Sequence, residues 1–206
     1  MIAAYNPSHH LGVGDNYLGY DKGVLRNVLL RLKDLGVDGV LIGSTVLLLH
    51  LGVDEFEDDV DVFVTNFSPY ADEDLVRSIS AKLGCELSQN EWGTPALYCI
   101  FNNNEVIIEL HENVLDLYIP ENIIKSAKEA KLMDIRVRCI SIEDYVALKA
   151  RAGRDHDLED LSVVADLVKV GKLKLDINFI KERIRNEFPE EEKLLLSRLR
   201  NAGLKV

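Results

Sequence analysis

Apolar residues at Val24, Leu25, Val28, Leu29, Leu32 and Leu35 recur at helical spacing and predict a helix over 22–36 that stops at Gly36. A short apolar run at 40–42 predicts a buried strand, and 44–51 a helix closed by Gly52. Over 60–64, valines alternate with other side chains, which is the period of a strand with one buried face. A second amphipathic helix follows at 71–83, then strands at 97–101 and 106–110, with Asn102, Asn103 and Asn104 forming a hairpin turn between them. Pro120 opens a helix that should run to about residue 130, followed by a strand at 135–140. The rest reads as helix: 141–152 behind Ser141 with Asp144 three residues on, then 157–170, 176–187 and 190–201, the last two parted by Pro189. Strands and helices alternate over the first 140 residues, and helices dominate afterwards. The expected fold is α+β. An irregular arm (1–20) precedes a mixed β-sheet core with flanking helices (21–140), and a C-terminal helical region (141–206) follows.

Composition narrows the classes of function. The net charge of −11 repels nucleic-acid phosphates over most of the surface, so generic binding of duplex DNA or RNA is not expected. A local basic patch for a nucleotide or a tRNA end stays compatible with it. Cys85, Cys99 and Cys139 are far apart and form no CxxC pair, which predicts reduced, buried thiols in a cytoplasmic protein. The opening residues show no signal-peptide pattern, and the apolar run at 45–49 is too short to span a bilayer, so no membrane partner is expected. Gly12, Gly14 and Gly19 do not have dinucleotide-fingerprint spacing, and His9 and His10 read as solvated.

The chemistry-bearing positions are carboxylates. In a strand, Asp59 and Asp61 point the same way, roughly 7 Å apart, while Val60, Val62 and Val64 point into the core. Paired carboxylates on a rigid strand repel each other, and a hard divalent cation relieves that repulsion. Glu109 is an acidic residue in an otherwise apolar strand, and adjacency to the Asp59 strand would bring three carboxylates together. Gly43-Ser44 lies where a strand turns into a helix. Glycine there admits a phosphate close to the backbone, and the first helical N–H groups can bind it. Each element has a plainer counterpart: an N-capping serine, a solvated Asp-x-Asp, a charged edge strand. It is their order along one chain that favours a metal–phosphate site. An EF-hand is excluded because Val62 stands where that loop needs glycine. His50 and His111 read as structural, although period-2 alternation puts His111 on the Glu109 side, and Trp92 reads as packing.

Gly43-Ser44-Thr45-Val46-Leu47 followed by Asp59-Val60-Asp61-Val62-Phe63-Val64 resembles the polymerase-beta-like nucleotidyltransferase superfamily, and its minimal AbiEii-like branch in particular. Downstream, 139–149 resembles the segment leading into a lysine-bearing helix, and Arg154-Asp155-His156-Asp157 with Asp160 resembles the motif that follows it. The resemblance covers about residues 22–170. It implies that Asp59, Asp61 and Glu109 hold Mg²⁺ or Mn²⁺, that Glu109 also activates an acceptor hydroxyl, and that Gly43 and Ser44 bind the triphosphate. Lys149 and Arg154 would neutralise phosphate charge; a surface lysine and an internal Arg154–Asp157 or Arg154–Asp160 ion pair are the alternatives. The implied activity is two-metal transfer of a nucleoside monophosphate from ATP or another NTP to a hydroxyl on a small molecule, protein or tRNA. The alternative is a catalytically reduced relative acting as a nucleotide-binding or toxin–antitoxin-type module, with a protein partner or a second copy of itself left open.

Overall fold

The computed structural model describes residues 19–90, 93–114 and 117–206. The expected arm, apart from its last two residues, lies outside the described residues, as do His9, His10 and Trp92. In chain order the elements are β1 (Tyr20–Asp21), α1 (Lys22–Asp34), β2 (Gly39–Leu41), α2 (Ser44–Leu51), β3 (Glu55–Phe56), β4 (Val60–Val64), α3 (Glu73–Leu83), β5 (Glu86–Gln89), β6 (Pro95–Phe101) and β7 (Asn104–His111). They continue with α4 (Glu121–Lys125), β8 (Lys128–Leu132), β9 (Ile135–Cys139), α5 (Ile142–Ala152), α6 (Asp155–Lys169), α7 (Ile177–Glu187) and α8 (Glu192–Asn201). The chain divides into two compact units, Met1–Tyr118 with Ala127–Cys139 and Ile119–Ser126 with Ile140–Val206.

The first unit holds a seven-stranded mixed sheet of order β5-β6-β7-β4-β2-β9-β8, so the fold is α+β. Its centre is the parallel pair β4–β7, which sets Val60 opposite Ile108, Asp61 opposite Glu109, Val62 opposite Leu110 and Phe63 opposite His111. Val60, Val62, Val64, Ile108 and Leu110 are buried on one face. On that face α3 packs against β5 and β6, and the Arg31 guanidinium of α1 lies over the Phe101 ring. The other face carries Asp61, Glu109 and His111 and, on β6, the exposed Tyr98 and Ile100. The alternation read from the valines therefore describes the strand correctly. Asn102 and Asn103 both have positive φ (51° and 64°), as a two-residue turn between right-twisted strands requires.

Two strands of the large sheet depart from expectation, besides the short unexpected pair β1–β3. The helix expected to reach residue 130 ends at Lys125, and Lys128–Leu132 is a strand. Lys-Glu-Ala-Lys favours helix locally, but antiparallel pairing to β9, from Lys128 opposite Cys139 to Leu132 opposite Ile135, outweighs that small preference. The second departure is β5, an edge strand too polar to show a buried face in the sequence. Its pairing with β6 sets Glu86 opposite Tyr98, which brings the neighbouring Cys85 and Cys99 face to face, and the two are joined in a disulfide. The expectation of three reduced thiols is corrected accordingly, and Cys139 alone is free.

The second unit contains α4 to α8, with α5 packed against α6, α7 and α8. Ser141 caps α5 as the sequence suggested, its Oγ accepting from the Asp144 N–H at 3.0 Å. No helix among the described residues is long and apolar enough to cross a membrane.

The disulfide makes the first prediction. With the bonded cysteines 14 positions apart in sequence, the cross-link stabilises the fold by about 3 kcal/mol through the unfolded chain. Cys99→Ser, or a dithiol reductant, is expected to lower urea stability by that order. Thiol titration of the denatured protein should find one reactive group before reduction and three after.

Candidate active site

Asp61 sits mid-strand in β4, directly across from Glu109 on β7, so backbone hydrogen bonding fixes the spacing of the two carboxylates. His111 follows Glu109 by two residues and returns to the same face. Its Nε2 lies 2.8 Å from Asp61 Oδ1 and 3.2 Å from Glu109 Oε2. One donor atom each from Asp61, Glu109 and His111 falls within 4.8 Å of the others. Asp59, immediately before β4, is not among those three. Its carboxyl nevertheless feels them strongly: burial, then the charges of Asp61, Glu109 and Asp58, push its pKa up to about 8. Burial alone would lower the His111 pKa, but the hydrogen bonds to Asp61 and Glu109 more than offset this and push it up to about 9. His111 is 4 % exposed, and its Nδ1 is a buried ring nitrogen without a hydrogen-bond partner.

Gly43 completes this arrangement from β2 and α2. Its φ of 67° and ψ of −166° lie in a region open essentially to glycine alone. A Cβ there would stand 1.9 Å from Asp61 Oδ2, so the missing side chain is what lets the start of α2 approach the carboxylate. The strand and helix are tied at the same point: the Ile42 N–H donates to the Asp61 carbonyl (3.0 Å), and the buried Thr45 hydroxyl to the Asp59 carbonyl (3.0 Å). Ser44 is the first helical residue, behind Gly43, and no side chain caps the N-terminus of α2. Its leading N–H groups are the kind that accept an anion.

The donor set suits a hard divalent cation. Carboxylate oxygens, partly desolvated and held close enough to raise one another's proton affinity, exchange protons for a metal of that class. The absence of a side chain at Gly43 lets the start of α2 sit against the Asp61 carboxylate. A cavity of about 580 Å³ in the same unit, walled by Pro69, Tyr70, Arg77, Leu87 and Gln89, includes none of these acids and does not mark the site.

The fold thus brings together Gly43, Ser44, Asp59, Asp61 and Glu109. Lys149 and Arg154 belong to the second unit, where both are engaged by acids. Lys149 Nζ lies 2.9 Å from Asp157 Oδ1 and 2.7 Å from Asp160 Oδ2, and Arg154 Nε 2.8 Å from Asp157 Oδ2. Asp157 is fully buried. Burial would raise its pKa, but the Arg154 hydrogen bond and the Lys149 charge outweigh that and lower it. For Arg154 the ion-pair alternative is what the side chain adopts. Sequence reading did not weigh His111 as a full member of the cluster, although the strand period had already put it on that face.

A mixed sheet with an acidic cluster beside a glycine-started helix is the arrangement of a nucleotidyltransferase. The chain belongs to the family described as "Nucleotidyl transferase of unknown function (DUF2204)", whose model matches residues 21–201. None of the curated proteins matches it. Among solved structures it is similar to the antibiotic-resistance factor ANT(2'')-Ia in solution, with 16% identity, a TM-score of 0.47, and coverage of 87% of this chain and 91% of that one. It is likewise similar to an antigenic nucleotidyltransferase-like protein from Paracoccidioides brasiliensis (14% identity, TM-score 0.49, covering 87% and 95%). A further similar structure is ANT(2'')-Ia in complex with adenylyl-2''-tobramycin (15% identity, TM-score 0.47, covering 87% and 97%).

Two predictions follow from this geometry. Gly43→Ala sets a Cβ against Asp61 in a disfavoured backbone region and should lower stability by about 1–3 kcal/mol or more in urea denaturation. Asp157→Ala removes the buried acid shared by Lys149 and Arg154, leaving Lys149 paired to Asp160, and should cost about 3–5 kcal/mol. Because the folded-state pKa of Asp157 is lowered from 3.8, its stabilisation is present above that value and lost as pH falls through the folded one. Between pH 7 and pH 3, the wild type should therefore lose more stability than Asp157→Ala.

Proposed function

We propose that the protein transfers a nucleoside monophosphate from a nucleoside triphosphate to a hydroxyl acceptor. The observation that carries this reading is the meeting of Asp61, Glu109 and His111 donor atoms within 4.8 Å, beside the glycine that opens α2. Family membership supports the same class of reaction. Asp59, Asp61 and Glu109 would hold Mg²⁺ or Mn²⁺, two ions in the full form of the mechanism, which would neutralise developing charge on the phosphates and lower the pKa of the acceptor hydroxyl. Ser44 and the first N–H groups of α2 would grip the triphosphate tail, with Gly43 admitting it to the backbone. Glu109 would receive the acceptor proton. His111, hydrogen-bonded to both Asp61 and Glu109, would keep their oxygens oriented toward each other.

Lys149 and Arg154 enter as phosphate-neutralising residues by resemblance alone. Each would have to share its charge with Asp157 to act so, which makes them the weaker part of the assignment. The AbiEii-like branch, and any toxin–antitoxin role that would go with it, rests on the two short segments around Gly43 and Asp61. ATP is the first donor to test, and a small molecule, a protein and a tRNA end are the acceptor classes.

The test is calorimetric titration of ATP with Mg²⁺ or Mn²⁺, together with pyrophosphate release and label transfer in the presence of acceptor pools. Asp59→Asn and Asp61→Asn should each reduce transfer by roughly 100-fold or more, the equivalent of losing about 3 kcal/mol of transition-state stabilisation. Wild-type rates or wild-type metal affinity in both variants would refute the assignment.

A further inference from the structure

Asn90 lies just past β5, and its side chain reaches across to β7. Its Nδ2 donates to Glu109 Oε2 at 2.7 Å. The same oxygen lies 3.2 Å from His111 Nε2. Two directed contacts thus converge on one oxygen of Glu109. The terminal torsion of a glutamate is broad and roughly two-fold, so a carboxylate held only through its stem samples many planes. Two partners on one oxygen select a single plane, with the Glu109 side chain only 16% exposed.

Asn90 is itself held from both sides. Its backbone N–H donates to the Thr94 carbonyl (3.0 Å), and its own carbonyl accepts from the Gly93 N–H (3.0 Å). Its Oδ1 accepts from the Thr94 N–H (3.0 Å). With Oδ1 committed to an N–H, the amide must present its NH₂ to Glu109. The acceptor-only carboxylate demands the same orientation, so both contacts fix one amide assignment. The strand that delivers Asn90 is bonded to β6 through Cys85–Cys99, just before its first residue.

We propose that Asn90 is a positioning residue. Its amide, together with His111, sets the plane of the Glu109 carboxylate so that it can share a divalent cation with Asp61 and receive the acceptor proton. The inference rests on the nucleotidyl-transfer reading for its catalytic consequence, but the effect on metal binding stands without it. Residues that orient a ligand in this way typically matter by 10–100-fold in metal affinity or activity.

Asn90→Leu and Asn90→Asp separate this role from simple tethering of Asn90 to Thr94. Both remove the donor, whereas Asn90→Asp keeps an oxygen to accept from the Thr94 N–H. Asn90→Leu, folded by circular dichroism, should bind Mn²⁺ roughly 10–100-fold more weakly than wild type by titration calorimetry or electron paramagnetic resonance. If Asn90→Leu does not fold, Asn90→Ala supplies the same comparison. Asn90→Asp sets a further carboxylate against Glu109, so it should lower the thermal midpoint at neutral pH and transfer nucleotide at least about tenfold more slowly, with KM for the triphosphate unchanged. In a Glu109→Gln background, Asn90→Leu should cost nothing further, since its effect runs through Glu109. Wild-type Mn²⁺ affinity in the folded Leu or Ala variant, or wild-type turnover in Asn90→Asp, overturns the proposal. If the wild type transfers no nucleotide from any triphosphate, the functional reading falls, and the Mn²⁺ comparison still decides the part played by Asn90.

Discussion

The site depends on one pairing: Asp61 directly opposite Glu109 in a parallel ladder, with the backbone hydrogen bonds of two central strands holding like charges together. Desolvating such groups costs several kcal/mol. The opposite face of the same strands supplies the compensation. Val60, Val62, Val64, Ile108 and Leu110 are all buried there, and each fully buried side chain of that size contributes about 1.5–3 kcal/mol. That burial holds β4 and β7 in register, and the register keeps the repulsive cluster in place. The strain appears as proton affinity: Asp59 retains a proton up to about pH 8, and His111 is held charged between two acids. Both responses bring positive charge to a place where negative charge has accumulated.

The second unit treats buried acids differently. Asp157 meets Lys149 and Arg154, and Asp144, 1% exposed, meets Arg183 and the Ser141 hydroxyl. Each buried carboxylate there has a cation of its own, so the network is close to neutral and holds helices together. Among the described residues of the first unit, by contrast, Asp58, Asp59, Asp61 and Glu109 gather with His111 among them. A balanced network reads as structure, and an unbalanced one as a candidate functional site.

Much of this could be read before the fold was known. Val60, Val62 and Val64 alternate, and that period alone places Asp61 on the face away from the core. Helical spacing marks α1, and the Asn102–Asn103 turn marks the β6–β7 hairpin. The misreadings share a cause. β5 and β8 are polar edge strands with weak or helix-favouring local sequence, and they exist because a neighbouring strand offers backbone partners. The Cys85–Cys99 bond was hidden for the same reason, since residues far apart in sequence become neighbours only through the β5–β6 register.

Sequence by itself picked out the candidate chemistry: Asp59 just before β4 and Asp61 within it, Glu109 on the face of β7 away from the buried valines, and a glycine where no other residue fits. These follow from local periodicity and backbone sterics, which act over a few residues. Tertiary structure decided which of them meet. The β4–β7 register chose Glu109 as the partner of Asp61, folded His111 in beside them, and brought Asn90 from an edge strand. In the second unit, where the Arg154–Asp157 pair is local, it turned Lys149 toward Asp157. Such pairings are set by long-range hydrogen bonding and burial, and no window along the chain encodes them.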